Sequence, residues 1–261
     1  MIATNDSRYG LSDEQIAQYH EQGYLKFDAL IHGERLERHI AVFDKLVERA
    51  KTYSEEADGF TLEYDADGKV IPGRLHKIQG VCVADPRVLD LAKEPEILGK
   101  IVSLLEPDLD IFGTKFFPML GDGSVSTAWH QDNYYFGEMV GGGKPEELVT
   151  CAIYLQDSSK ENGCLKIVPY SHTAHEVVDH TPATGVMGHG HWTDINDDGA
   201  IDVECPGGTV LLFSPYLLHG SHQNNSDRSR YSTAWHYIPG DAQLERFQRD
   251  AYSDRHIVRT S

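Results

Sequence analysis

Apolar residues along this chain follow two rhythms. In the first hundred or so residues they recur at helical spacing. Ser12-Asp13-Glu14-Gln15 has the S-x-x-Q form of a capping box, in which the serine and glutamine side chains satisfy each other's backbone N–H. Ile16 and Tyr19 begin an apolar stripe behind it, and Gly23 is a natural stop. Tyr24-Leu25-Lys26-Phe27 reads as a short strand. Ile40, Phe43, Leu46 and Val47 then keep i, i+3, i+4, i+7 spacing, which predicts an amphipathic helix over residues 34–51. Asp65-Ala66-Asp67-Gly68 is a turn between extended pieces. Residues 86–105 predict a further helical stretch, broken near Pro95.

From about Asp110 the rhythm shortens. Ile111–Met119, Leu148–Leu155, Cys164–Val168, Thr209–Phe213 and Tyr231–Ile238 are β-rich runs separated by Gly, Pro, Asn and Asp. Several short strands at this spacing predict a sandwich or barrel, and their hairpin-rich texture fits a double-sheet jelly roll of the cupin kind. The expected fold is mainly β with α. A double-stranded β-helix core over about 110–240 is flanked by a helical N-terminal part over about 1–109 and a tail over 241–261. With no repeat and no long Pro/Gly linker, one domain over 1–261 is expected.

Composition narrows the function classes. The 261 residues are 40% hydrophobic and 25% charged, with no run near the ~18 apolar residues of a membrane helix. The first residues have neither a basic nor an apolar segment of the secretory kind, so a soluble, cytoplasmic protein is expected. Net charge is −18, from 41 acidic against 23 basic residues. A nucleic-acid backbone is repelled by such a surface, so the expected partner is a small molecule, with no nucleic acid and no membrane. Cys82, Cys151, Cys164 and Cys205 form no CxxC pair and are read as buried, reduced thiols. Oligomeric state is not encoded in any pattern here.

Candidate chemistry centres on Trp129-His130-Gln131-Asp132. On a strand, residues i and i+2 face the same way, so His130 and Asp132 can meet one ion without bending the backbone. A second imidazole from a distant strand completes a two-His, one-carboxylate face with open positions, an arrangement suited to Fe(II) oxygenase chemistry. Fourteen histidines make a chance H-x-D match easy, and His32-Gly33-Glu34 is a similar one beside a predicted helix start. The second histidine is expected after the buried run 209–213, where His219 is favoured and His222 competes. Arg230, at the head of the last predicted strand, offers a planar fork for a carboxylate, with Arg228 its rival.

Together these pieces resemble the phytanoyl-CoA dioxygenase family. The match is carried by His130-Gln131-Asp132 followed by Tyr135-Phe136 and by Glu161-Asn162-Gly163-Cys164-Leu165 running into Pro169-Tyr170-Ser171-His172. It continues in His219-Gly220-Ser221, with Arg230 eleven residues after His219. The opening stretch from Glu14-Gln15-Ile16 to Gly23-Tyr24-Leu25 is similar too. The resemblance implies a jelly-roll core, Fe(II) on His130, Asp132 and His219, 2-oxoglutarate as co-substrate, and O2. It places the far carboxylate of 2-oxoglutarate on Arg230 and adds Lys77, Gln131 and Ser221 as co-substrate contacts. Lys115 and Ile153 stand where other members carry methionine and tryptophan near the co-substrate, and Lys115 adds a cation there. His172 is read as scaffold. The implied reaction is decarboxylation of 2-oxoglutarate to succinate and CO2, coupled to hydroxylation or a related oxidation of a small organic substrate. Halogenation is not expected, because Asp132 fills the position that halogenating relatives leave free.

Substrate-side candidates are Asn133, Tyr134 and Tyr135, which follow the ligands, and the aromatic Trp235. His189, His191 and Trp192 join them from the long segment 173–200, of the kind that forms lids. Asp194–Gly199 resembles half a calcium loop but lacks its closing glutamate, so a turn is expected. Two rivals remain at this stage. One is a cupin-type metalloenzyme without 2-oxoglutarate, and the other a binding protein on the same fold.

Overall fold

The computed structural model describes residues 7–136, 139–140, 148–182, 191–195 and 197–260. The helices are α1 (Asp13–Gln22), α2 (Glu34–Ala50), α3 (Val81–Ala84), α4 (Leu89–Ala92), α5 (Pro95–Val102) and α6 (Asn133–Phe136). The strands are β1 (Tyr24–Phe27), β2 (Phe60–Tyr64), β3 (Val70–Gln79), β4 (Leu109–Phe117), β5 (Met139–Val140), β6 (Val149–Tyr154), β7 (Leu165–Ile167) and β8 (Thr181–Pro182). They continue as β9 (His191–Trp192), β10 (Ile201–Val203), β11 (Thr209–Phe213), β12 (His219–Ser221), β13 (Ser232–Pro239), β14 (Gln243–Leu244) and β15 (Arg255–Arg259).

The chain builds the expected jelly roll from two facing sheets. The major sheet runs β1-β11-β6-β13-β4-β3-β2, with β15 also on β4, and its pairings are antiparallel. The minor sheet is β10-β7-β12. His130 extends it, because its backbone exchanges hydrogen bonds with His219 at 2.9 and 3.0 Å. β6 is buried along its whole length, which is why the sequence Val-Thr-Cys-Ala-Ile-Tyr lacks a clean polar alternation.

The helices cover the outer face of the major sheet. The capping box at α1 forms, with the Ser12 hydroxyl accepting from Gln15 N at 3.3 Å and Gln15 Oε1 accepting from Ser12 N at 3.0 Å. Gly23 ends α1 at φ 86°, and a Cβ there would strike the His172 ring, whose Nε2 donates to His20 O at 3.1 Å. His172 is thus the scaffold residue expected. α2 turns Phe43, Leu46, Val47 and Ala50 inward, and the Phe43 ring meets Phe116 of β4 at 4.7 Å. Full burial of the Phe, Leu and Val side chains contributes about 1.5–3 kcal/mol each, and Ala50 less.

The sheet draws strands from well outside residues 110–240. β1, β2 and β3 come from the N-terminal part, and β15 from the tail. Buried charge docks the tail. Asp110 is fully buried and accepts from Arg255 Nε at 2.8 Å and from Arg249 Nε and Nη2 at 2.8 Å. Asp254 accepts from the Thr114 backbone N–H and hydroxyl at 2.7 and 2.6 Å. This clamp carries Arg246, Phe247 and Tyr252 to the open end of the cavity between the sheets. No helix among the described residues is long and apolar enough to cross a membrane.

Candidate active site

A cavity of about 540 Å3 lies between the two sheets, within the usual size of a ligand pocket. His130, Asp132 and His219 line it, and one ligand atom from each lies within 4.8 Å of the others. His130 and His219 are a directly opposed, hydrogen-bonded strand pair, so both rings leave on one face, with centroids 4.1 Å apart. Asp132 follows at i+2, where the chain already turns toward α6. Its Oδ1 is 3.9 Å from His130 Nε2 and its Oδ2 is 3.8 Å from His219 Nε2.

Both imidazoles are held in one tautomer. His130 Nδ1 donates to Ala128 O at 2.9 Å and His219 Nδ1 to Leu217 O at 2.8 Å, since a carbonyl only accepts. Each Nε2 is thereby the ring nitrogen turned to the centre, where a metal ligand must sit. Burial, helped by neighbouring His219, pushes the His130 pKa down to about 3, which keeps the ring neutral. Burial alone would raise Asp132, but His219, His236, Lys115 and His130 around it hold its carboxyl well below the ordinary range.

A hydrogen-bonded chain steadies Asp132 from behind. Asp132 Oδ2 accepts from the Thr150 hydroxyl at 2.9 Å. Thr150 Oγ1 must then accept from His236 Nδ1, 3.1 Å away. His236 Nε2 in turn accepts from Lys115 Nζ at 3.2 Å, and Lys115 also donates to Gly113 O at 3.2 Å. Burial first, and then Lys115, lower the His236 pKa to about 3, so the ring is neutral and the donor order is unambiguous.

Arg230 is buried at the far end. Its Nη1 donates to Ser232 Oγ and its Nη2 to Gly163 O, both at 2.6 Å, and its carbon centre lies 5.6 Å from the Tyr154 ring centroid. Its Nε is buried without a partner among the described residues, an unmet donor aimed at no protein acceptor. Arg228 is 62% exposed and only 3.8 Å from the equally exposed Glu161. His222 is likewise set apart, since its Nε2 pairs with Asp202 at 2.6 Å and it does not line the cavity.

Other expected residues divide by side. Lys77, Lys115, Ser221 and Tyr135 line the cavity, although the Ser221 hydroxyl already accepts from Thr127 N at 2.8 Å. Gln131 does not. Its side chain faces away, donating to Glu176 O and Tyr216 O at 3.1 and 2.7 Å and accepting from Val178 N at 2.8 Å. It is a tether for the 176–178 segment rather than a co-substrate contact, because i+1 on an extended chain points opposite to i and i+2.

The same parity corrects Trp235 and Ile153, which are fully buried in the core under the helices, while Ala152 and Ala234 face the cavity. Tyr134 stacks on His180 at 4.2 Å instead of lining the cavity, and Asn133 does not line it either. His191 and Trp192 lie on β9, but their side chains fall outside the described residues, as does His189. Of the stretch 194–199 read as a turn, Asn196 lies outside the described residues, and Asp197 O accepts from Ala200 N at 2.9 Å. Sequence reasoning missed Thr150, His236, Ser232, Phe112, Phe247 and Tyr252. The available signal was a polar residue inside a buried strand, as at Thr150 and His236.

A family model described as phytanoyl-CoA dioxygenase matches residues 19–232. The chain belongs to the phytanoyl-CoA dioxygenase family. It is an Fe(II)- and 2-oxoglutarate-dependent dioxygenase on a jelly-roll core. Among relatives in this family, human peroxisomal phytanoyl-CoA dioxygenase is 24% identical over 244 residues, covering 88% of this chain and 69% of the human protein. A probable alpha-ketoglutarate-dependent hypophosphite dioxygenase from Stutzerimonas stutzeri is 24% identical over 243 residues, covering 88% and 79%. In fold, the chain matches EctD from S. alaskensis, solved with 2-oxoglutarate and 5-hydroxyectoine. The TM-score is 0.70 at 19% identity, over 96% of this chain and 83% of EctD.

Proposed function

We propose that His130, Asp132 and His219 hold Fe(II), that Arg230 binds the far carboxylate of 2-oxoglutarate, and that the enzyme hydroxylates a small organic substrate in the same cavity. One observation carries this reading. A buried arginine with an unpartnered Nε shares a cavity with three converging ligands, two imidazole Nε2 atoms and a carboxylate. A guanidinium fork fits a carboxylate, and the donor set fits Fe(II) with positions left open. A metalloenzyme that did not use 2-oxoglutarate would have no role for Arg230.

Iron bound here supplies the O2-dependent chemistry that converts 2-oxoglutarate to succinate and CO2 and oxidises the substrate. The chain's own residues do the rest. Ala128 O and Leu217 O orient the two imidazoles, and Thr150, backed by His236 and Lys115, fixes the Asp132 carboxylate. Arg230, steadied by Ser232 and Gly163, sets the direction of 2-oxoglutarate, with Lys77, Lys115 and Ser221 as further contacts around it. Phe112, Phe136 and Phe247 give the other side an apolar lining for the substrate. Asp132 completes the ligand set, which favours hydroxylation over halogenation. The four free cysteines are all buried and suit a reducing cytoplasm, and the acidic surface suits a small-molecule partner rather than nucleic acid. The test is a metabolite screen for substrate-coupled succinate release by Fe(II)-loaded enzyme. Release that does not depend on 2-oxoglutarate, Fe(II) and O2 together would overturn the reading.

A further inference from the structure

The charge of the cavity opposes the charge of the protein. The chain carries a net charge of −18, yet the described cavity lining contains a single carboxylate, Asp132. Against it stand Lys77, Lys115, Arg230 and Arg246. In the proposed complex, a divalent metal and Arg230 are matched by Asp132 and the two carboxylates of 2-oxoglutarate. Lys77 and Lys115 around 2-oxoglutarate, with Arg246 beyond them, still leave the lining net positive. Among the described residues, neither Lys77 nor Arg246 has a carboxylate at ion-pair distance. Lys115 spends two of its three N–H donors on Gly113 O and His236, and the third is left over. A cavity of one sign concentrates ions of the other.

The apolar part of the lining is equally specific. Phe112, Phe136 and Phe247 pack together, with the Phe112 ring 5.2 Å from Phe136 and 5.0 Å from Phe247, and Phe112 and Phe136 also touch His236 of the chain behind Asp132. Arg246 precedes Phe247 on the docked tail and is exposed at the cavity mouth.

We propose that the substrate is a small organic anion, a carboxylate or a phosphate monoester, with an apolar body. The body lies on Phe112, Phe136 and Phe247, and Arg246 meets the charged group. This rests on the 2-oxoglutarate reading for its charge balance, but the two can fail separately. A cationic or zwitterionic small molecule is disfavoured by the same surplus.

The experiment is anaerobic calorimetry on Fe(II)-loaded enzyme. 2-Oxoglutarate is titrated first, and then phenylacetate, hexanoate, phenyl phosphate and the neutral phenylacetamide and hexanamide. We expect at least one anion to bind tenfold or more tighter than its neutral counterpart, with a preference that weakens as salt rises. The carboxylate and phosphate arms distinguish the two head groups. Arg246→Gln should lower affinity for the preferred anion about fivefold or more, leave the amides unchanged, and leave 2-oxoglutarate affinity within twofold. Equal binding of acids and amides, or no anion binding below 10 mM (on the order of 3 kcal/mol of affinity), overturns the anionic class. An unchanged preference in Arg246→Gln overturns the role of Arg246. Failure of 2-oxoglutarate alone to bind would instead overturn the co-substrate reading.

Discussion

Replacing Arg230 by alanine should weaken 2-oxoglutarate binding far more than the same change at Arg228. Arg230 is 4% exposed, and two of its donors are tied to Ser232 and Gly163, so its guanidinium is fixed before any ligand arrives. Three of its five N–H donors, the unmet Nε among them, are left for a ligand carboxylate. Truncating one partner of a buried, hydrogen-bonded charge pair costs about 2–5 kcal/mol, much of it the penalty on the abandoned charge. At about 1.4 kcal/mol per tenfold, affinity should fall by roughly one to three orders of magnitude. Arg228 is solvated, and exposed pairs are worth about 0–1 kcal/mol, so its loss should cost less than a tenfold change. Arg230→Lys should recover only part of the affinity, because an ammonium has no fork. The assay is anaerobic titration of each Fe(II)-loaded variant with 2-oxoglutarate, following the visible charge-transfer band. Fe(II) affinity and thermal melting serve as controls for the metal site and the fold. Equal, small shifts in both variants would refute the assignment and move the far carboxylate to Lys77 or Lys115.

His130→Ala and Asp132→Ala should each abolish iron binding and turnover with an unchanged circular dichroism spectrum; wild-type turnover in either would sink the triad. Iron content should fall in His219→Ala and stay normal in His222→Ala, since only His219 faces the cavity, and the reverse result would displace the register. Thr150→Val keeps the shape but removes the donor to Asp132 and the acceptor for His236, so metal affinity should drop about 10–100-fold by Co(II) titration, and an unchanged affinity would mean the chain behind Asp132 is incidental. Metal-free protein should lose stability as pH falls from about 6.5 toward 3. His130 and His236 have folded pKa values near 3 against an ordinary 6.5, so the unfolded state binds more protons across that window. Melting temperatures that stay flat from pH 7 to pH 4 would contradict this.

The fold was legible where local rules act alone. The α1 capping box, the α2 stripe and the short-strand texture all survive into the structure. β2 and β3 were read only as extended pieces, because Pro72 and Gly73 interrupt the run and its burial is mixed along its length. Nothing local marks β15 as a strand, since Arg255 and Arg259 give Arg255–Arg259 the look of a surface segment. What buries Arg255 is Asp110, 145 residues away, which no local pattern reveals. The cavity's open end depends on that clamp, so Arg246, Phe247 and Tyr252 were equally hidden.

The site was legible as a set of motifs, and its errors share one cause. A strand alternates faces, so fixing one residue fixes the parity of its neighbours. If His130 and Asp132 face the metal, Gln131 must face away, and its amide is indeed spent on Glu176, Val178 and Tyr216. If Arg230 and Ser232 face the cavity, then Ala234 does too, His236 lies on the same side behind Asp132, and Trp235 belongs to the core. If Thr150 faces Asp132, then Ala152 and Tyr154 follow it and Ile153 turns outward. The resemblance names Gln131 and sets Ile153 where other members carry a tryptophan near the co-substrate, and aromatic character names Trp235. Parity applied to those same strands excludes all three and selects His236, one of fourteen histidines with no motif of its own. The open substrate end follows no such rule, because it is assembled from Phe112 of β4, Phe136 of α6 and Phe247 of the tail. The Phe247 ring reaches the other two from the tail that Asp110 holds through Arg249 and Arg255.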